Sequence, residues 1–254
     1  MRIDVVSVIP EVFEPYLGAS IMGRARKRDI FAFEAHDLRT WTHDRHRTVD
    51  DAPFGGGQGM LMKCEPIFEA VRALSQEGPR PRVVFFSPTG TPFRQADAER
   101  LSHEERLLFV CGRYEGMDER AYELADEVIS LGDYVLTGGE LAALAVIDAV
   151  VRLIPGALGD AMSAADESFT DGLLEYAQYT RPADFEGRTV PDVLLSGDHA
   201  AVDRWRRKNA VERTALKRPD LIDDAPLSPE ELAFARELMA EGALAEGGNA
   251  RHEC

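Results

Sequence analysis

The chain has 254 residues, of which 44% are hydrophobic and 29% charged, and its formal net charge is −16. This length suits one well-buried α/β domain with a smaller one, and the composition excludes fibrous and disordered classes. The three cysteines are odd in number and far apart, which excludes a disulfide framework and a CxxC pair. The first apolar run contains Asp4 and no run reaches membrane-spanning length, so we expect a cytoplasmic protein with no membrane role.

Short apolar runs in the first part of the chain predict buried parallel strands. The N-terminal run comes first, VVFFS follows at 83–87, LLFVC at 107–111 and EVIS at 127–130. The last three runs enter glycine-containing loops, PTGTP, GRYEGMDER and LGDYVLTGGEL. Ligands of open α/β sheets bind beyond the carboxyl ends of the strands. The pattern therefore predicts that three loops line one small-molecule site.

A second glycine-rich segment, APFGGGQGM at 52–60, lies between the first two of these runs. It lacks the GK[ST] ending of a Walker loop, and GxGxxG is absent from the chain. The segment is either a flexible turn or a place where the backbone approaches a ligand or a neighbouring chain. His43, His46 and Cys64 make only a weak case for metal binding, and solvated or phosphate-facing roles are favoured for them. We therefore predict no metal site from spacing.

A helix is predicted from Glu140 to about Ile154, directly after Gly138 and Gly139. Its pattern is apolar nearly all round, which indicates burial, but Asp148 and Arg152 interrupt it at i and i+4. One interpretation is an intrahelical ion pair at the edge of the buried face. The other is that Arg152 presents a fixed guanidinium to negative charge that develops in a cleft.

Apolar periodicity fades between residues 159 and 190, where GDAMSAADESFTDG is small, polar and acidic. This stretch predicts a flexible linker between a larger domain, 1–158, and a helical domain, 191–254. Its acids Asp166 and Glu167 are ordinary surface carboxylates in one interpretation. In the other, one of them is a general base that closes over a bound substrate.

The helical domain carries a concentrated positive charge. From Arg204 to Arg218 seven basic residues stand against one acid, a net +6 in a chain of −16. A chain that repels polyanions over most of its surface but offers a basic patch suits nucleic-acid binding in one orientation. A solvated helix face explains the same pattern. A second helix is predicted after Ser228 and Pro229, which supply a cap and a first turn.

Taken together and in this order, these motifs closely resemble the bacterial tRNA (guanine-N1)-methyltransferases of the SPOUT superfamily. The segments that carry the resemblance are THDRHRTVDDAPFGGGQGMLMK, SPTG, CGRYEGMDER, GDYVLTGGEL, IPGALG, YTRP and LLSGDHAAVDRWR. The resemblance implies an α/β fold with a mostly parallel sheet and a deep trefoil knot, followed by a small all-α C-terminal domain. From general rules alone an unknotted, doubly wound sheet is the default expectation.

The resemblance also implies the cofactor and the partners. S-adenosylmethionine is expected to bind to Pro88, Gly90, Gly112, Tyr114, Glu115, Leu131, Gly132, Asp133, Tyr134, Val135, Leu136, Gly138 and Gly139. The expected substrate is tRNA, held by Asp50, Gly55, Gly56, Gly57, Gly59, Arg204, Arg206, Arg207 and Lys208. A homodimer with a shared active site is implied as well. A magnesium requirement belongs to the family, although no group of residues in the sequence marks a Mg²⁺ site.

The implied reaction is methylation of N1 of the guanosine at tRNA position 37, next to the anticodon. Arg152 stands at the family's base-binding arginine, and Glu167 stands where the family has an aspartate general base. The glutamate retains the carboxylate but is one methylene longer. Asp166 is therefore the alternative general base, if the loop is shifted by one residue. An error near 1 Å can cost on the order of a hundredfold in rate.

Two other classes of protein remain open at this stage. A non-catalytic RNA-binding module needs the basic patches but not three ligand loops. A nucleotide-dependent oxidoreductase fits the alternation of strand, loop and helix, although the absent GxGxxG and the basic helix argue against it.

Overall fold

The computed structural model describes residues 1–158 and 167–249. The chain divides into two compact units, Met1–Ala161 and Met162–Cys254. The strands of the first unit are β1 Arg2–Ser7, β2 Ala32–Asp37, β3 Asp50–Asp51, β4 Leu61–Met62, β5 Arg82–Pro92, β6 Arg106–Val110 and β7 Glu127–Ser130. Its α-helices are α1 Glu14–Leu17, α2 Ser20–Lys27, α3 Cys64–Ser75, α4 Gln95–Ser102 and α5 Glu140–Val151.

Five of these strands form one sheet in the order β2-β1-β6-β5-β7, and every pairing in it is parallel. All five residues of β6 are buried, as expected for a central strand covered on both faces. The four strands predicted from apolar runs are β1, β5, β6 and β7, so this prediction is confirmed. The first unit is an α/β structure with a parallel central sheet.

Alternate residues of β6 point into two separate cores. Leu107 and Phe109 pack with apolar residues of α2, α4 and α5 on one face. Leu108 and Val110 pack with α3 on the other face. Because side chains alternate along a strand, one apolar run serves both layers. The sheet is thereby fixed between helices, and its carboxyl edge is held as a rigid platform for the loops that follow.

Helix α5 ends earlier than predicted, at Val151 rather than near Ile154. The amides of Leu153 and Ile154 bond to carbonyls three residues back, so the last turn tightens after the α-helix ends. Pro155 follows, and a residue before proline is disfavoured in the helical conformation. Arg152 therefore lies at the C-terminal cap of α5 rather than inside it.

The described residues of the second unit include a short antiparallel hairpin and three α-helices. They are β8 Asp184–Phe185, β9 Arg188–Thr189, α6 Asp192–Leu195, α7 His199–Lys217 and α8 Pro229–Asn249. Its buried core includes Val211, Ile222 and Ala235. Leu173, from the stretch expected to be a linker, is 2% exposed and belongs to this core. None of the helices in the described residues is long and apolar enough to cross a membrane.

The predicted start of the last helix is confirmed. Ser228 Oγ accepts a hydrogen bond from the amide of Glu231 at 3.2 Å, and the Glu231 carboxylate accepts one from the amide of Ser228 at 2.8 Å. This reciprocal arrangement is a capping box, which satisfies two amides that the helix itself leaves unpaired.

Candidate functional site

A cleft of about 390 Å³ opens beyond the carboxyl ends of β6 and β7 and beside a loop that interrupts β5. Its walls come from three segments, 86–89, 112–122 and 129–142, with Leu61 added from β4. These are the three loops that the strand pattern predicts to meet. Volume and position are typical of a small-molecule site in an α/β protein.

The first wall is a loop extruded from within β5. Phe86 and Thr91 both pair with Ile129 of β7, so residues 87–90 leave the ladder between them. A Cβ atom on Gly90 would lie 2.6 Å from the carbonyl oxygen of Val128. Only glycine allows the chain to return to the sheet at this point, because no side chain fits there.

The second wall follows β6 and is braced by the glycine-rich 52–60 segment. The Glu115 amide donates to the Met60 carbonyl at 3.0 Å. Gly59 has a φ of +79°, and a Cβ atom there would come within 2.3 Å of the Glu115 side chain. The glycine-rich segment therefore packs directly against a wall of the cleft.

The third wall joins β7 to α5 and closes on the second. The Gly139 amide donates to the Gly112 carbonyl at 2.8 Å, and Arg113 forms an isolated bridge with Gly138. A Cβ atom on Gly139 would lie 3.0 Å from Cys111 Cα. Backbone contact of this kind requires glycine, and it fixes the two walls relative to each other.

A buried carboxylate supports the same corner. Glu140 is 4% exposed, accepts a hydrogen bond from Ser7 Oγ at 2.7 Å and lies 3.8 Å from Arg113 Nη1. It is the first residue of α5, where the helix dipole favours negative charge. Arg113 lines the cleft, so its guanidinium is held at the wall by a charge behind it.

Two titratable groups near the cleft have shifted pKa values. Partial burial, followed by the negative charge of Asp50, raises the pKa of Tyr114 above its ordinary value. Complete burial raises the pKa of the Cys111 thiol well above its ordinary value. Cys111 is therefore a protonated core residue and not a nucleophile at neutral pH.

The cleft groups eleven of the thirteen residues that the resemblance assigns to the cofactor. Gly90 and Asp133 do not line it, although Gly90 shapes the loop that does. The structure adds residues that sequence reasoning did not select, among them Arg113, Met117 and Thr137. Arg113 lies inside the CGRYEGMDER motif, and a charge within a glycine-rich loop was the signal available for it.

The candidate catalytic residues lie in different units. Arg152 is partly buried at the end of α5, and Asp148, one turn before it, accepts a hydrogen bond from the Tyr16 hydroxyl at 2.8 Å. Glu167 is partly buried in the second unit, where its carbonyl accepts from the Thr170 amide at 3.3 Å. Asp166 lies outside the described residues. The role of each stays a prediction.

The candidate RNA contacts of the first unit lie on a short hairpin. Asp50, in β3, pairs with Met62 of β4, and the glycine-rich segment connects the two strands. Gly55, Gly56, Gly57 and Gly59 all have positive φ values, between +78° and +138°. These conformations are open to glycine but rarely to other residues.

The four basic candidates on α7 differ in their surroundings. Arg204 and Lys208 are exposed, and the Lys208 ammonium lies 5.1 Å from the centre of the Phe234 ring. Arg207 instead donates to Glu231 at 2.6 Å and to Asp171 at 2.8 Å. Two carboxylates therefore already neutralise the Arg207 guanidinium within the fold.

His43, which was considered as a metal ligand, is instead paired with a carboxylate. His43 Nε2 lies 2.8 Å from a Glu69 oxygen. In the described part of the chain one group has metal-ligand spacing, Asp4, Glu34 and His36, whose ligand atoms lie within 4.8 Å of one another. Asp4 is fully buried and accepts hydrogen bonds from Arg2 and Arg106. Two guanidinium groups on one carboxylate oppose the binding of a further cation there.

An α/β unit with three glycine-bearing loops around one cleft belongs to the class of parallel-sheet proteins that bind small molecules at their strand ends. The family described as tRNA (Guanine-1)-methyltransferase TrmD matches residues 1–224. The chain belongs to this family of methyltransferases.

Three relatives, each named tRNA (guanine-N(1)-)-methyltransferase, illustrate the similarity. The protein from Syntrophotalea carbinolica is 54% identical over 241 residues, covering 95% of this chain and 98% of its own. That from Dictyoglomus turgidum is 51% identical with the same coverage. That from Frankia alni is 52% identical over 256 residues, covering 99% of this chain and 97% of its own.

Proposed function

We propose that the chain transfers the methyl group of S-adenosylmethionine to N1 of the guanosine at position 37 of tRNA, next to the anticodon. The observation that carries the proposal is the cleft, which groups most of the expected cofactor residues at the strand ends. Family membership supports both the type of reaction and the guanine N1 target. The cytoplasm, where tRNA is processed, is the proposed location.

The cleft fits the proposed cofactor in size and in chemistry. Its volume of about 390 Å³ lies within the range of small-molecule sites. At Gly112, Gly138 and Gly139 the lining is backbone alone, which leaves backbone groups available to a nucleoside. When bound, S-adenosylmethionine supplies a reactive methyl group on a sulfonium, and the protein supplies alignment and electrostatics.

Guanine N1 carries a proton and is a poor nucleophile until that proton leaves. In the proposed mechanism the Glu167 carboxylate takes the N1 proton as a general base. The Arg152 guanidinium stabilises the negative charge that spreads onto O6. S-adenosylmethionine held by the cleft residues would supply the methyl group to the deprotonated N1, with the S–C bond of the sulfonium broken as the N1–C bond forms and S-adenosylhomocysteine left as the second product. Asp166 is the alternative base.

The proposed RNA surface has two parts. In the first part, Asp50 and the glycines of the 52–60 segment contact the target base and its neighbour. The close approach of Gly59 to Glu115 in the cleft wall supports this part. The second part is an all-α C-terminal domain, 191–254, whose basic helix holds phosphates. Position 37 reaches a catalytic site only if its base is splayed out of the loop stack.

We also propose the deep trefoil knot of the SPOUT superfamily and a homodimer with a shared active site. The dimer is supported by the outer face of α5. This helix is apolar nearly all round, yet Leu141 is 61% exposed, and the neighbouring Val135 is 84% exposed. Exposed apolar side chains grouped in one patch are typical of an interface, and an isologous dimer would cover them with the same patch of a second copy.

Nucleoside mass spectrometry tests the proposal. Unmodified tRNA is incubated with the protein and methyl-labelled S-adenosylmethionine, digested and mapped. We expect label in 1-methylguanosine at position 37, and a label in another base, or none, would contradict the proposal. The same reaction with and without EDTA tests the magnesium requirement implied by the resemblance.

A further inference from the structure

The segment before the hairpin of the second unit is clamped along α7. The amide of Leu174 donates to Thr214 Oγ1 at 2.9 Å, Arg213 Nε donates to the Glu175 carbonyl at 3.0 Å, and the amide of Ala177 donates to Asn209 Oδ1 at 2.7 Å. Three helix side chains thus bind backbone groups of three of the four residues 174–177. Residues 174–177 therefore have a fixed position on the helix surface.

The clamped strip and the residues directly after it place two tyrosines, Tyr176 and Tyr179, beside the basic stretch of α7. Arg206 lies over the Tyr176 ring, with its guanidinium carbon 4.9 Å from the ring centre. Tyr179 meets Trp205, with ring centres 6.5 Å apart and planes inclined at 53°. We call Tyr179 and Trp205 the aromatic pair.

The aromatic pair is open to solvent although it is apolar. Tyr179 is 51% exposed and Trp205 is partly buried. In a tilted pair at this distance the edge of one ring packs against the other ring, and a ring face is left free to stack on another flat group. Tyr179 lies two residues beyond the last clamped residue, and its ring is already paired with that of Trp205 before any ligand binds.

Positive charge flanks the aromatic pair on both sides. With 3.6 residues per turn, Arg204 and Arg206 project to opposite sides of Trp205. Arg204 is exposed. The Nε atom of Arg206 is buried and has no hydrogen-bond partner among the described residues. Arg206 Nη1 forms an ion pair with Asp203 at 3.6 Å, and an exposed pair of this kind is weak enough for a phosphate to displace it. An aromatic surface between two guanidinium groups fits a nucleobase between its phosphates.

We propose that Tyr179 and Trp205 form a stacking platform for an unpaired nucleobase of the RNA substrate, with Arg204 and Arg206 on the adjacent phosphates. The proposal rests on the proposed function, because it takes the ligand of the second unit to be tRNA. It adds a contact of a different kind to the phosphate contacts already expected there. An unpaired base is required, since paired bases in an RNA helix have no free face.

The test uses full-length protein and two RNA probes, an anticodon stem-loop and a fully paired duplex of equal charge. Affinity is measured by fluorescence anisotropy over a salt series for Tyr179→Leu, Tyr179→Phe and Arg204→Gln. Phe185→Leu is the matched control, because Phe185 is an equally exposed aromatic, at 59%, on the hairpin of the same unit.

We expect Tyr179→Leu to weaken stem-loop binding about tenfold without changing the slope of affinity against salt. Tyr179→Phe should bind like the wild type, Arg204→Gln should reduce the slope, and Phe185→Leu should do neither. Duplex binding should be insensitive to Tyr179→Leu.

Three results would overturn the platform. They are unchanged stem-loop affinity in Tyr179→Leu, an equal loss in Tyr179→Phe, and a change in oligomeric state of Tyr179→Leu without RNA. Failure of the proposed function is separate, because it would appear as wild-type protein that does not methylate guanine N1 in tRNA. Wild-type methylation with normal stem-loop binding by Tyr179→Leu would remove the platform alone.

Discussion

The amide of Gly139 donates a hydrogen bond to the carbonyl of Gly112 at 2.8 Å, which joins the loop after β6 to the start of α5. This backbone contact, together with the Arg113–Glu140 ion pair, holds two walls of the cleft together. The close approach depends on the absence of a side chain, because a Cβ atom on Gly139 would lie 3.0 Å from Cys111 Cα and 3.1 Å from the Gly112 nitrogen.

Gly139→Ala should therefore weaken cofactor binding. The new methyl group meets backbone on the other wall, and such overpacking costs about 1–3 kcal/mol, or roughly 5- to 150-fold in affinity. Calorimetry with S-adenosylhomocysteine measures the effect. Gly78→Ala is the control, since Gly78 has a φ of +94° but open space around it. The control should lose stability and not affinity, and wild-type affinity in Gly139→Ala would contradict the proposed role of the contact.

The proposed general base can be separated from its neighbour. In single-turnover methylation we expect Glu167→Gln to lose about 10²–10⁴-fold in rate and Asp166→Asn to retain a near-normal rate. Arg152→Ala should lose about 10²–10³-fold, as when a donor to a developing oxyanion is removed. Binding of S-adenosylhomocysteine is the control and should be unchanged in Glu167→Gln. A normal rate in Glu167→Gln with a slow Asp166→Asn would assign the base to Asp166.

The pair of Arg207 and Glu231 should make stability depend on pH. The hydrogen bond from Arg207 lowers the pKa of Glu231 to about 2, from an ordinary value of 4.5. Because the pKa of Glu231 is lower in the folded protein than in the unfolded chain, the ionised carboxylate stabilises the fold at pH values above 4.5. This stabilisation is lost as the pH falls from 4.5 towards 2. Allowing for solvent screening, we expect wild type to lose about 1–2 kcal/mol more than Glu231→Gln between pH 6 and pH 3.

Urea unfolding at both pH values measures this difference. Glu230→Gln is the matched control, because Glu230 is exposed on the same helical turn, and it should follow the wild type. Parallel curves for wild type and Glu231→Gln would show that the pair contributes nothing. Because Arg207 is paired with Glu231 and Asp171, reversing its charge should destabilise the second unit. Arg204 is exposed, so reversing its charge should weaken RNA binding instead.

The outer face of α5 predicts the oligomeric state. Leu141→Asp places a charge in the proposed interface and should convert a dimer to monomers, as measured by light scattering after size exclusion. Leu216→Asp is the control, because Leu216 is similarly exposed, at 52%, on a helix of the second unit. A dimer that survives Leu141→Asp would place the interface elsewhere.

The sequence predicted the central strands and their loops because buried parallel strands are continuous apolar runs. The edge strand β2, AFEAHD, carries polar residues and one face open to solvent, so its pattern does not mark a buried strand. The predicted end of α5 was wrong by three residues. Leu153 and Ile154 have apolar side chains that continue the helical pattern, but Pro155 disfavours the helical conformation in the residue before it.

Side-chain pairing was the least predictable part of the candidate site. Arg204 and Arg207 belong to the same run of basic residues. Arg204 is exposed, whereas Arg207 is hydrogen-bonded to Glu231, which is 24 residues away in sequence. Nothing in the local pattern distinguishes the two, because the partner is supplied by the packing of α8 on α7. The ion pair of Arg113 with Glu140, and the hydrogen bond from Ser7 to Glu140, likewise join elements that are distant in sequence.

The buried carboxylate of Asp4 and its arginine partners lie near the amino-terminal ends of β1 and β6, where Arg2 and Arg106 are neighbours in register. The cleft lies at the opposite edge of the same sheet. Substitutions at distant sites with no shared partner combine additively. A substitution that changes fold stability at the Asp4 end of the sheet should therefore leave ligand affinity at the cleft end unchanged.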